Sequence, residues 1–447
     1  MRTSVLIVGG GPVGLTLSIL LSRMGIDHRV IEARTEPSPH PKARGISARS
    51  MEIFRRVGLE AEIRAAGLPA EHVAFFRGRT LDDPDYVRTT PDSQGTEHTP
   101  TPGVLCSQDA LERVLSARAG DRVRRGVRLV SFEQSDSGVV ATVREERTGI
   151  ESVVRADWLI GCDGAHSTVR EGSGIAMTGA SGLGEFLSVR FEAPLGAVVA
   201  DRVSASYFLA RGGGFLAVDN DRQWIFQHPL EGEQPSELDV IELIRSGSGR
   251  ADLDVTIRST AVWRVNARLA DAYRSGRVLL AGDAAHGIPP TGGHGMNVGI
   301  GDADNLAWKI AAVLTGKADE SLLGTYESER RPVARQVIDI STANSRNRAG
   351  YRIDDELLLG TAYRDSGTLL ATDGYVPSGE PGDRLPHAWL PDGRSTLDLV
   401  GLDPGGSGYV LLTGSELPQG LRDSCGLSPA AALLVRPDGH IAARVRD

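Results

Sequence analysis

Apolar positions along the chain fall into two kinds of pattern. The first is a short continuous apolar run that stops at glycine and leads into a helical stretch. "SVLIV" (Ser4 to Val8) is halted by Gly9-Gly10-Gly11-Pro12-Val13-Gly14, and "LTLSILLSRMG" then has the apolar spacing of a helix packed on a sheet, ended by Gly25. "HRVIE" follows as a second strand. The arrangement recurs near residue 160, where "ADWLIGCDGAHSTVRE" passes from an apolar strand through Cys162-Asp163-Gly164 into a helix opening at Ser167. It recurs again in "GRVLLAGDAAH", whose strand ends at Gly282-Asp283, and "HGMNVGIGDADNLAWKIAAVL" reads as a long helix after the turn "PPTGGHG". The second kind is short and alternating. Between Val169 and Asp271, "FLSVRFEAPL", "RVSASYFLA", "GGFLAVDN" and "RQWIFQHP" read as strands of an antiparallel sheet, with Asp219-Asn220-Asp221 as a hairpin turn. Beyond a helical region reaching about Ser366, "SGEPGDRLPHAWLPDGRSTLDLVG" is rich in Pro, Gly and Asp and reads as a linker into a small α/β tail.

Composition changes this picture little. A chain of 447 residues exceeds what one core usually supports, so several domains are expected. No run of eighteen apolar residues occurs that could span a membrane. The amino terminus is apolar enough to imitate a secretion signal, but its glycines and single preceding Arg2 fit a strand, turn and helix better, and a cytoplasmic location is expected. Cys106, Cys162 and Cys425 lie far apart without CxxC spacing, which suggests neither a disulfide framework nor a metal site. Lys plus Arg is 49 against 58 Asp plus Glu, a net charge of −9 that argues against a general nucleic-acid binder. The basic run "RVRRGVRL" reads as a solvated strand edge.

The glycine turns carry the candidate chemistry. In the first, Gly9 permits the tight turn, Gly11 lets backbone approach a pyrophosphate, and Gly14 allows close helix packing. Glu32 stands eighteen residues after Gly14, where an acid accepts from a ribose 2′-hydroxyl. An acid there favours FAD or NAD, while Arg34 leaves NADP open. In the second turn, Gly292, Gly293 and Gly295 make room for a flat ring against backbone, Pro289 and Pro290 stiffen the approach, and the positive end of the following helix favours an anionic ring edge. Taken alone, the turn at Asp163 is a structural one, with Ser167 as a cap and Arg170 on the helix face. His286 and His294 are read as satisfying local backbone, not as bases.

The order GxGxxG, then DGxxSxxR, then GD followed by "PPTGGHGMN" resembles the para-hydroxybenzoate hydroxylase family of single-component FAD-dependent aromatic hydroxylases, including its polyketide aromatic hydroxylases. "ARGISARSMEIFRRVGL" (Ala43 to Leu59) and "CSQDALERVL" (Cys106 to Leu115) are similar to the family's other flavin-contacting segments. The resemblance implies an α/β fold: a Rossmann-like FAD domain of the glutathione-reductase type, an inserted antiparallel-sheet substrate domain, and a small, shortened thioredoxin-like carboxy-terminal domain. The expected division is 1–172 and 271–366 for the FAD domain with its long helices, 173–270 for the substrate sheet, and 367–447 for linker and tail, the tail serving packing or oligomerisation, with a homodimer as one form.

One FAD then needs both loops. Gly9, Gly11, Pro12, Val13 and Gly14 would take the ADP pyrophosphate, and Glu32, Ala33 and Arg34 the ribose end. Arg44 and Gln108 would take the pyrophosphate or ribityl region, Gly282 and Asp283 the ribityl chain, and Pro290, Gly293, Gly295, Met296 and Asn297 the isoalloxazine. Asp163 is expected to serve both flavin and nicotinamide, and Arg170 either joins it or ties the DG turn together. Tyr207, Phe208, Phe215, Trp224, Phe226 and Gln227 are pocket candidates, about half of which should face away by strand alternation. His228 and Tyr207 are the candidate catalytic groups. The implied activity is hydroxylation of a phenolic, quinonoid or polyketide-like aromatic through a C4a-hydroperoxyflavin, with NAD(P)H and O2 as co-substrates and no metal, membrane or nucleic-acid partner. Baeyer-Villiger or decarboxylating oxygenation by the same machinery is the near alternative, and a non-catalytic FAD-binding or assembly protein the distant one. A flavin halogenase would carry a WxWxIP-like helix, which the chain lacks.

Overall fold

The strand Arg2–Val8 is the centre of the molecule. Its residues Val5, Leu6 and Ile7 are wholly buried, as expected of a central strand of a parallel sheet. In the computed structural model, which describes residues 1–37, 43–90, 96–230, 235–346, 356–402 and 408–445, this strand pairs in parallel with His28–Glu32 on one side and Glu151–Gly161 on the other. Val278–Leu280 and Val123–Arg125 extend the parallel sheet outward in the two directions. The helix Pro12–Arg23 starts with proline in its first turn, buries Leu15, Leu17, Leu20 and Leu21, and stops at Gly25, whose φ of 74° few other residues adopt cheaply. The same hydrophobic cluster takes in Leu306 and Ile310 of the helix Gly295–Leu314 and Val333 and Val337 of the helix Gly324–Arg346. Each such side chain contributes about 1.5–3 kcal/mol on burial.

A second, seven-stranded sheet stands over this layer. Glu185–Glu192 lies between Thr256–Arg264 and Gln223–Pro229, and Gly214–Ala217 and Ser206–Leu209 follow. Asp219-Asn220-Asp221 forms the expected hairpin turn: the Asp219 carboxylate accepts from the N–H groups of Asp221, Arg222 and Gln223, and Asn220 sits at φ 60°. One boundary is corrected. Phe75–Gly78 and Val87–Thr89, expected in the FAD portion at 1–172, complete this sheet, with Phe75–Gly78 running parallel to Ser206–Leu209. One face of the sheet packs Leu187, Val189, Phe191, Phe215 and Trp224 against Ile244 of the helix Glu237–Ser248, which is closed by a Ser236–Asp239 capping box and by Gly249.

The tail is a three-stranded antiparallel sheet, Val410–Thr413, Ala432–Val435 and Ile441–Val445, with the helix Gln419–Cys425 and a core of Leu385, Leu412, Leu421, Leu433 and Ile441. The expected boundary at 366 falls inside a hairpin, since Ala362–Arg364 pairs with Gly367–Leu369. The tail docks on the FAD portion through charge. Buried Arg384 pairs with Glu52, Arg436 makes two 2.9 Å bonds to Glu329, and Trp308 Nε1 donates to Asp438 at 3.1 Å. Among the described residues no helix is long and apolar enough to cross a membrane, no acidic or sulfur cluster would hold a metal, and the three cysteines are free.

Candidate functional site

The two glycine turns meet. Gly282 (φ 64°) comes so close to the first turn that a Cβ there would lie 2.9 Å from Val13 Cγ2. A Cβ on Gly299, in the second turn's helix, would lie 2.6 Å from the same atom and 3.0 Å from Gly282 Cα. Val13 therefore fits a notch that exists only because 282 and 299 are glycine, and the turns form one continuous surface at the ends of their strands.

Within the first turn the glycines divide by role. A Cβ on Gly9 would sit 2.2 Å from Cys162 O, and one on Gly14 2.0 Å from Gly9 O, so both are packing requirements. At Gly11 nothing lies within 4 Å, and no side chain caps the helix there. The first intrahelical bond is Leu15 N–H to Gly11 O, and Pro12 has no N–H, so among the described residues nothing meets the N–H groups of Val13 and Gly14, which leaves them open to an anion. Glu32 is buried beside them and accepts from Gly10 N at 2.7 Å and from Arg34 N and Nε at 3.0 and 3.1 Å. Burial opposes its ionisation, but these bonds hold its carboxyl below the usual range, so it is an acceptor.

In the second turn Asp283 is exposed and makes no bond to the described residues. Gly293 (φ 67°) also faces open space, and the Gly295–Leu314 helix begins without a side-chain cap or an acid in its first turn. Two uncapped helix amino termini, open positions at Gly11 and Gly293, and a free carboxylate at Asp283 are what an FAD diphosphate, ring edge and ribityl chain require.

Other predicted residues are spent within the protein. Asn297 uses its whole side chain, accepting from Ser47 N and Ser50 Oγ and donating to Gly45 O and Gly293 O, so it braces the turn instead of offering a side chain to the ring. Asp163 accepts from Ser167 Oγ and Val169 N, which makes it a cap of its own turn. Arg170 donates to Ala165 O and Ala284 O, tying the DG turn to the GD turn. Gln108 donates to Glu112 at 2.7 Å. Arg44 reaches the second sheet, donating to Ala205 O, Ala217 O and Ser206 Oγ. Burial alone moves it, down to about 10, and among the described residues no carboxylate pairs with it. His286 contacts a carboxylate, Asp302 Oδ2 at 2.8 Å, instead of backbone.

Alternation sorts the pocket candidates. Tyr207, Phe215, Trp224 and Phe226 point to the face packed on the helix Glu237–Ser248, and register puts His228 on that face beside Phe226. The Tyr207 hydroxyl donates to Asn220 there, and burial pushes it well above its ordinary value. Neither candidate catalytic group, Tyr207 or His228, lies on the sheet face that Arg44 touches. Phe208 and Gln227 share the opposite face with Ser206, which Arg44 touches, and with Arg190, whose guanidinium lies 3.7 Å from Asp109 of the helix Gln108–Ala119. The sequence reading missed Arg190, Phe75 and the stacked pair Phe186 and Trp263, with ring centroids 4.7 Å apart, on this face. The signal for Trp263 was present in the period-two pattern of "TIRSTAVWR".

A family model described as an FAD binding domain matches residues 2–341. A putative polyketide hydroxylase of Streptomyces halstedii is 34% identical, over 100% of this chain and 94% of the relative. The aklavinone 12-hydroxylase DnrF of Streptomyces peucetius is 37% identical over 89% of each chain. The crystal structure of the flavin-dependent monooxygenase PieE in complex with FAD and substrate superposes with a TM-score of 0.89 at 29% identity, covering 100% of this chain and 96% of that one.

Proposed function

The chain belongs to the FAD-binding family of aromatic and polyketide monooxygenases, and from that premise we propose that it hydroxylates a phenolic, quinonoid or polyketide-like aromatic, with NAD(P)H and O2 as co-substrates. FAD, when bound, supplies the redox chemistry and the oxygen activation. The protein's part is to bind, orient and dry. The Val13 and Gly14 N–H groups take the diphosphate, Glu32 the ribose and Asp283 the ribityl hydroxyls, while the uncapped start of the Gly295–Leu314 helix favours negative charge on the ring edge. The sheet face bearing Phe208, Gln227 and Trp263 covers the turns and excludes water from the reacting centre.

The observation that carries this reading is the fusion of two open glycine turns through Val13. Its test is NAD(P)H oxidation by the FAD-loaded protein under air, with and without a panel of phenols and polycyclic quinones, with products weighed. The expected result is a substrate-stimulated rate and a product heavier by one oxygen atom on an intact ring. A ring-expanded product would assign the Baeyer-Villiger outcome instead, and failure to bind FAD would refute the enzyme.

A further inference from the structure

A buried chain of polar contacts runs from the second glycine turn to a part of the molecule outside the matched 2–341 segment. Asp302, fully buried, accepts from the backbone N–H of Gly282 at 3.1 Å, directly before Asp283, and its other oxygen accepts from Arg330 Nε at 2.8 Å. Arg330 also donates to Val298 O at 2.9 Å within the first turns of the Gly295–Leu314 helix. It occupies space left by Gly301, where a Cβ would lie 2.8 Å from its guanidinium. Its remaining arm donates to the Tyr363 hydroxyl at 2.9 Å. Tyr363 is held in turn by the tail: its N–H donates to Gly382 O, its ring lies 4.4 Å from that of His440, and Arg436 sits over it at 5.1–5.4 Å from Trp308 and Tyr363.

We propose that Tyr363 and Arg330 are positioning residues for FAD, fixing the Gly282-Asp283 turn against the Gly295–Leu314 helix through Asp302. The inference rests on the FAD reading above. Its physical content is the state of Asp302. As a carboxylate it accepts from Gly282 and contacts His286 Nε2 with one oxygen and faces Arg330 with the other; protonated, it cannot serve all three, and the turn is released. Burial raises its carboxyl, and Arg330 with His286 more than reverses this. The other titratable groups around it are the Tyr273 and Tyr326 hydroxyls and the Cys162 thiol, all neutral at ordinary pH because burial pushes them up.

The test is FAD titration of the full chain, followed by flavin fluorescence, for the wild type, Tyr363→Phe, Arg330→Gln and the control Arg55→Ala, which loosens the tail's Asp398 contact elsewhere. Tyr363→Phe is expected to weaken FAD by about 5- to 10-fold with an unchanged melting temperature, and Arg55→Ala not at all. Arg330→Gln should weaken it further, and by a larger factor at acid than at neutral pH, with a steeper pH dependence than the wild type. Wild-type affinity in Tyr363→Phe, or equal losses in Tyr363→Phe and Arg55→Ala, overturns the inference, and Tyr363→Phe decides alone should Arg330→Gln not fold. A loss in Arg330→Gln that ignores pH overturns the role of Asp302. A wild type that binds no FAD refutes the functional reading itself.

Discussion

Gly11 and Gly14 stand three residues apart in one motif, yet the space around them separates function from packing. A methyl on Gly14 meets Gly9 O at 2.0 Å and must displace backbone, so Gly14→Ala is expected to destabilise the apoprotein by about 1–3 kcal/mol. A methyl on Gly11 meets nothing, and its φ of −80° suits alanine. Gly11→Ala should therefore melt within about 0.5 kcal/mol of wild type while losing FAD affinity by at least about tenfold. Paired apoprotein melts and FAD titrations check both; an apoprotein of Gly11→Ala that binds FAD normally would remove the diphosphate from this turn. Arg44 is the opposite kind of residue, legible as polar and near the site but not as to its partner. Its three acceptors lie 161 to 173 positions away, and no local spacing encodes such a reach.

At the scale of elements, the sheet sorts side chains by parity. Trp224 is wholly buried in the cluster under the Glu237–Ser248 helix, whereas Trp263 is half-buried on the opposite face, stacked on Phe186. Trp224→Ala is expected to cost about 3–5 kcal/mol of stability with KM for the aromatic unchanged in the folded fraction. Trp263→Ala should do the reverse, raising KM several-fold with a small change in melting temperature, and steady-state kinetics beside denaturant unfolding distinguish the two. Strand, turn and helix could be read from the sequence because each is a local pattern: an apolar run, a glycine, a helical spacing. The pairing of "FFRG" at 75–78 with a strand 131 residues later could not, since a four-residue strand with one inward phenylalanine carries no periodicity and its partner is chosen by tertiary packing.

For the whole molecule, the question is how the tail is held. Its linker composition marked a boundary, but the interface across that boundary is built from charges that read singly as surface residues: Glu52, Glu329, Arg384, Arg436 and Asp438. Separating the two parts would break the Glu52–Arg384 and Glu329–Arg436 pairs, a penalty of about 3–5 kcal/mol for each broken buried pair unless water reaches it. At neutral pH calorimetry is therefore expected to show one transition for tail and FAD portion together. Acid should divide them. Burial opposes ionisation of Glu329, but Arg436 and Lys309 hold it down to about 2, against 4.5 for the ordinary group. A depressed carboxyl stabilises fully above its unfolded value and loses that contribution as pH falls toward the folded one, so the window runs from about 4.5 to about 2. Glu52 is held low by Arg384 across the boundary against its burial, which gives the same sign. His387, lowered to about 4 by burial and by Arg384, reinforces it, since stability is lost as pH falls from 6.5 toward 4. Below about pH 4.5 the tail should melt first as a separate transition, and Glu329→Gln should flatten the pH dependence of that split. A tail that melts separately at neutral pH, or a Glu329→Gln protein that divides at the same pH as wild type, would mean that apolar contact and not this ion network joins the two parts.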